Sequence, residues 1–391
     1  MTRSETTGRP NLARRVNVGA VVRRLQVAGP RSRAQLARET GISFPTVTKV
    51  CDYLEELQLV EPCGEQREGL GRPSRLLRMA STSAQVVAVS IGPERLRVAT
   101  AGLDGQILEE RLLEAPTSYD RLCRLVVEAT RQLQRASSAK TLGLGIALPG
   151  LVERESETVL ASPNVPYLDG QTPSRDLQKR TGLEAALVES MEAAFLAERV
   201  RGEATDLDDF AILNYRGGMG LAAASSGRLI QGADGLAGEL GHIVVDPGGR
   251  RCGCGNRGCL ETVATDVSLA KTASRRLRRK VSVDELIDLL GASPRRSWLE
   301  AEVRRALDFM AMGIGTVVNL VNPRCLLLLG RFLEAREDLF PQLLDRVPRY
   351  CVPRLAERCE IRHARTDTLQ GAALAIVRAI IARHACQETA A

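Results

Sequence analysis

Gly238-Glu239-Leu240-Gly241-His242, and from position 252 the run Cys252-Gly253-Cys254-Gly255-Asn256-Arg257-Gly258-Cys259-Leu260-Glu261, bring one imidazole and three thiols into eighteen residues. Thiolate and imidazole are the ligands a structural zinc prefers, and one histidine with three cysteines fills a tetrahedral shell without leaving a place for water. His242, Cys252, Cys254 and Cys259 therefore read as a closed Zn2+ site that holds a loop and does no chemistry. Buried or disulfide-bonded cysteines are the alternative. Cys252 and Cys254 are too close in sequence to pair comfortably, and a glycine adjoins each of the three.

Glu-x-Gly-His followed by Cys-x-Cys-Gly-x-x-Gly-Cys-Leu-Glu resembles the ROK family of sugar kinases and sugar-responsive repressors. Ala147-Leu148-Pro149-Gly150, Ser162-Pro163-Asn164, Asn322-Pro323 and Gly371-Ala372-Ala373 match further family landmarks in the expected order, so the resemblance spans nearly the whole chain. It implies an α/β chain: an N-terminal winged helix-turn-helix and a two-lobed, actin-like (ribonuclease-H-like) body. The expected divisions are residues 1–80 for the DNA-binding module and 81–200 for the first lobe, completed by helix 369–391. The second lobe, with the zinc loop, takes 201–368.

Charge separates the module from the body. The 391 residues carry a net charge of +7, and the first 80 hold 14 Lys/Arg against 8 Asp/Glu, leaving the remainder almost neutral. A basic module on a neutral body calls for a partner of dense negative charge, with duplex DNA the leading candidate. Apolar residues at helical spacing from Leu12 to Ala28 stop at Gly29-Pro30. Ser32-Arg33-Ala34-Gln35 reads as a capping box opening a short helix that ends near Gly41. Ser43 caps the next helix, Pro45 sits in its first turn, and Val47, Val50, Leu54 and Leu57 form its buried face. This is helix, glycine turn, helix. Ser32, Arg33, Ser43, Thr46, Thr48 and Lys49 are the candidate groove and phosphate contacts.

Leu59-Val60-Glu61 and Leu76-Leu77-Arg78-Met79 predict a two-stranded wing whose tip is Gly69-Leu70-Gly71-Arg72-Pro73. Arg72, with Arg67 and Arg75 nearby, suits a narrow minor groove; a basic loop touching phosphate alone is the plainer reading.

In the body, strand-like runs at Val86–Ile91, Leu96–Thr100 and Gln106–Leu113 precede a helix at Leu122–Leu133 and a buried strand at Leu142–Ala147. A helix over Trp298–Val321, a strand at Cys325–Leu329 and a last helix at Leu369–His384 follow, the last packing back on the first lobe. Alternating strands and helices imply sheets covered on their faces.

The resemblance also tests for catalysis. ROK kinases carry Asp-x-Gly-Gly-Thr near the first strand, where this chain has Ser90-Ile91-Gly92-Pro93-Glu94. Their Glu-Asn-Asp-Ala, which supplies the general base, corresponds to Glu189-Ser190-Met191-Glu192. With Ser90 and Met191 in place of both aspartates, phosphoryl transfer loses its phosphate-loop and base features, so no enzyme is expected; a sugar kinase is the remote alternative. The resemblance places an effector at Asn164, Ser190, Glu239, His242 and Glu261. Half the polar cradle survives, and Glu239 and Glu261 serve equally well as hydrogen-bond partners of the zinc loop.

Two readings stand beside the kinase. One is a sugar-responsive repressor linked to carbohydrate uptake or metabolism, taking a sugar or sugar-derived effector. The other is a family regulator that has lost sugar response and answers to a partner protein or a different ligand. Both imply a homodimer or homotetramer, because one short helix-turn-helix touches few bases. With no run of eighteen apolar residues and no signal-peptide core, a cytoplasmic protein is expected; ten cysteines fit a reducing compartment.

Overall fold

The computed structural model describes residues 8–67, 73–233, 235–365 and 367–387. The chain divides into two compact units, residues 1–160, 167–205 and 366–391, and residues 161–166 and 206–365.

The N-terminal module opens with α1 (Gly8–Ala28), β1 (Arg31–Ser32), α2 (Arg33–Thr40) and α3 (Phe44–Glu56), and closes with β2 (Val60–Gln66) and β3 (Ser74–Met79). The capping box is formed at both ends, Ser32 Oγ accepting from Gln35 N and Gln35 Oε1 from Ser32 N, and Gly41 ends α2 at φ 69°. A left-handed residue stops the helix and turns the chain, which is why glycine sits there. The wing has three strands, order β1-β3-β2, rather than two, because Arg31 and Ser32 pair with Leu77 and Leu76 before α2 begins.

The first unit continues with β4 (Ala84–Ile91), β5 (Arg95–Ala101), β6 (Ile107–Glu114), α4 (Tyr119–Ala136), β7 (Lys140–Leu148) and the hairpin β8 (Leu151–Glu153) and β9 (Thr158–Ala161). Helix α5 (Pro173–Thr181), β10 (Glu184–Glu189) and α6 (Ser190–Arg201) follow. Its sheet order is β10-β7-β4-β5-β6, an antiparallel meander of three strands extended by two parallel ones. Strand β4 is apolar on both faces because both are covered.

The second unit holds β11 (Phe210–Asn214), β12 (Gly220–Ser225), β13 (Arg228–Leu229), α7 (Asp266–Leu277), α8 (Val283–Gly291) and α9 (Ser297–Val321). Strand β14 (Cys325–Leu329), α10 (Leu339–Leu344), α11 (Pro353–Ala356) and β15 (Glu360–His363) complete it. Its sheet, β13-β12-β11-β14-β15, repeats the order of the first: three antiparallel strands, then two parallel. Two copies of this ribonuclease-H-like order make the expected body.

The last helix, α12 (Thr368–Gln387), returns to the first unit and packs on β4, β7, β10 and α6. Glycine makes the approach feasible: a Cβ on Gly145 would lie 1.9 Å from Ala372 O, and one on Gly371 would lie 1.9 Å from Ala193 O.

The two compact units do not break at residue 80 or at residue 200. Val21, Leu25, Leu36, Val47 and Leu54 of the module belong to one buried cluster with Val86, Ala99, Leu369 and Ile376. Helix α1 lies against α12 and α6, and Gln26 Nε2 donates to Leu103 O at 2.9 Å. Residues 161–166 fall with the second unit, and the first runs on to residue 205. No helix among the described residues is long and apolar enough to cross a membrane.

Candidate DNA interface and metal centre

Helix α3 buries Val47, Val50, Cys51 and Leu54 and turns Ser43, Phe44, Pro45 and Lys49 outward. The sequence-derived contacts divide on this geometry. Ser32 is only 4% exposed and its hydroxyl is held in the α2 cap, so it builds the turn and does not reach outward. Arg33 Nη2 lies 2.6 Å from both Asp52 Oδ1 and Glu55 Oε2, tying α2 to α3. Arg75 reaches the same Glu55 at 3.2 Å. Ser43 Oγ and Thr46 Oγ1 pair at 2.8 Å, and Thr48 Oγ1 donates to the Phe44 carbonyl at 3.0 Å. Lys49 and Arg67 are exposed. Arg72 and the wing tip Gly69-Leu70-Gly71 lie outside the described residues.

Sequence reasoning missed Glu61. Its side chain is 7% exposed, and it accepts six hydrogen bonds: from Arg78 Nε, the backbone N–H groups of Ser81, Thr82 and Ser83, and the hydroxyls of Thr82 and Ser83. Burial raises the carboxyl, but the bonds from Ser83, Thr82 and Arg78 outweigh it and hold the pKa at about 2. The clamped segment 81–83 is the junction between β3 and β4, so one carboxylate fixes the wing to the first sheet. No local pattern signals this, because Glu61 and Ser81-Thr82-Ser83 lie on different segments and meet only through the wing fold.

The four metal-ligand candidates come together. The ligand atoms of His242, Cys252, Cys254 and Cys259 all lie within 4.8 Å of one another, with Cys254 Sγ to Cys259 Sγ at 3.7 Å and Cys252 Sγ to His242 Nδ1 at 3.5 Å. Tetrahedral zinc with bonds near 2.3 Å to sulfur requires ligand edges of about 3.8 Å, so the donor set fits the ion. A tight hairpin presents it: Cys252 N donates to Asn256 O at 2.8 Å, and Gly258 N to Arg250 O at 2.8 Å. Gly258 (φ 71°) is obligatory there, because a Cβ would fall 1.6 Å from Asp246 O. Burial and the Glu261 carboxylate at 3.0 Å push the Cys252 thiol up, while the backbone at Asn256 draws Cys254 down.

Around the imidazole, Nε2 faces Glu239 Oε2 at 3.5 Å and Nδ1 lies 3.9 Å from Glu261 Oε1. Gly218 leaves room beside Asn164 and Glu261, whose side-chain atoms would be 3.3 and 3.4 Å from a Cβ placed there. Asn164, Glu239, His242 and Glu261 thus share one region of the second unit.

Ser190 and Met191 lie in the first unit at the start of α6, which Glu189 caps by accepting from Met191 N and Glu192 N. Met191 is buried, and Glu192 is paired with Arg154 at 2.8 Å. Ser90 Oγ is paired with Thr368 Oγ1 at 2.8 Å. Neither position offers a carboxylate.

Comparison with known proteins agrees with this architecture. The description "ROK family" matches residues 86–379. The DNA-binding transcriptional dual regulator NagC of Escherichia coli is 26% identical over 348 residues, covering 86% of this chain and 85% of that protein. The glucokinase of Thermotoga maritima is 29% identical over 296 residues, covering 71% and 91%. A crystal structure described as a ROK family transcriptional regulator, homolog of the E. coli MLC protein, superposes with a TM-score of 0.80 at 25% identity, covering 95% of this chain and 99% of the other. That coverage takes in the N-terminal module as well as the body.

Proposed function

The chain belongs to the ROK family, and from that premise we propose that it is a sequence-specific DNA-binding transcriptional regulator, a repressor of genes for carbohydrate uptake or metabolism, without kinase activity. The observation that carries this reading is the helix-turn-helix whose second helix exposes its leading end on a basic module sharing a core with the first lobe. Ser43, Thr46, Lys49 and Arg67 are assigned to DNA, with Arg72 and Arg75 on the wing; Ser32 and Arg33 shape the turn. His242, Cys252, Cys254 and Cys259 hold Zn2+, which braces the hairpin. Asn164, Glu239, His242 and Glu261, which share one region of the second unit, are assigned to a sugar or sugar-derived effector. A homodimer in the cytoplasm, binding an inverted repeat, completes the proposal.

The absence of kinase activity rests on Met191, which cannot accept a proton, and on Glu192, whose carboxylate is engaged by Arg154 at 2.8 Å. The same buried Met191 favours a second reading, in which sugar response is lost and a partner protein or different ligand controls the regulator. The test is retention of genomic DNA fragments by purified, zinc-loaded protein at near-physiological salt, where phosphate-only binding fades and specific binding persists. A shared inverted repeat beside a few operons is expected. Uniform retention, or none, defeats the proposal that the module reads sequence unaided.

A further inference from the structure

The leading turn of α3 carries a side chain that the folding of the module does not account for. Phe44, Val47, Cys51 and Leu54 have the spacing of one helix face. The last three are buried, yet Phe44 is 53% exposed. It is the first residue of the helix, where an aromatic ring adds nothing to initiation that Pro45 does not already supply. The hydroxyls around it are engaged: Ser43 with Thr46 at 2.8 Å, and Thr48 with the Phe44 carbonyl at 3.0 Å. The outward surface of this turn thus sets the apolar Phe44 ring beside the Ser43–Thr46 hydroxyl pair, at the end of the helix that meets base edges. In the major groove the thymine 5-methyl is the one apolar mark on a base pair, and phenylalanine is among the side chains that read it.

We infer that Phe44 is a specificity-determining residue, packing against the 5-methyl group of a thymine in each half-site. The inference rests on the reading of the module as DNA-binding and adds which base it prefers and by what contact. Covering one methyl group is worth about fourfold in affinity per half-site, or about fifteenfold over two half-sites. Lys49 supplies phosphate attraction that is indifferent to sequence, so the two contributions separate experimentally.

The experiment selects duplexes from a random pool with the full-length, zinc-loaded protein. Each thymine of the selected site is then replaced in turn by deoxyuridine, which removes the methyl and leaves every hydrogen-bonding edge intact. Dissociation constants are compared for the unaltered protein, Phe44→Ala and Phe44→Leu, with circular dichroism confirming that all three are folded. One thymine per half-site is expected at which deoxyuridine weakens the unaltered protein about fourfold. Phe44→Ala, which removes the ring from both half-sites, loses about fifteenfold on the thymine site and nothing further when that thymine is replaced by deoxyuridine, while Phe44→Leu keeps part of the discrimination. A selected site at which every deoxyuridine effect is the same for Phe44→Ala and the unaltered protein overturns the inference and leaves the DNA-binding reading standing. A pool that yields no enriched site overturns both.

Discussion

Replacing Glu61 by glutamine keeps the shape of the clamp and removes its charge. The folded carboxyl titrates at about 2, against about 4.3 for an unperturbed glutamate. A folded pKa below the unfolded one contributes stability that is present above the unfolded value and lost as pH falls through the folded value. The difference corresponds to about 3 kcal/mol at pH 7, of which roughly half remains at pH 3. With the side chain 7% exposed, solvent screening takes little from that figure. Glu61→Gln should therefore destabilise the first unit by about 2–3 kcal/mol at pH 7, read from urea unfolding followed by circular dichroism. The gap between the two proteins should narrow steadily from pH 5 towards pH 2. Amide exchange at Ser81, Thr82 and Ser83, whose N–H groups the carboxylate accepts, should accelerate in the variant. A gap below about 0.5 kcal/mol, or one that stays constant with pH, refutes the argument that the carboxylate's charge holds the junction.

Cys259→Ser should abolish binding of one zinc per chain in a metal analysis and expose the 250–258 hairpin to protease, with the α/β circular dichroism retained. Gly145→Ala should cost about 3 kcal/mol or more in thermal unfolding, because the new methyl meets the Ala372 carbonyl at 1.9 Å and neither backbone can yield cheaply. Lys49→Ala should reduce the slope of log affinity against log salt by about 1, whereas Arg33→Ala should leave that slope unchanged and lower stability, because Arg33 is bound to Asp52 and Glu55. ADP release with a panel of hexoses should stay at background; turnover above it would contradict the reading of Met191.

The His/Cys cluster and the helix-turn-helix are legible because both are local. Ligand spacing, a capping box and a glycine stop are consequences of a few adjacent residues, and the capping box and the Gly41 stop appear where the residues place them. The third wing strand was not legible: Arg31 and Ser32 look like a loop until Leu76 and Leu77 arrive beside them. Arg33 has the side chain of a phosphate contact, but the carboxylates that engage it come from another helix. Phe44 continues the spacing of the buried stripe, and only its position at the helix end leaves it outside.

The sequence alone determined the family resemblance, the basic module, the one-histidine, three-cysteine cluster and the absence of both kinase aspartates, since each depends on residue identity at short spacing. The tertiary structure decided that the module shares its core with the first lobe, that Gly145 and Gly371 admit the last helix, and that Glu61 fixes the junction. Those outcomes depend on groups far apart in the chain, such as Ala193 and Gly371 or Leu36 and Ile376. Burial and charge pairing act on distance in space, which no local pattern of residues specifies.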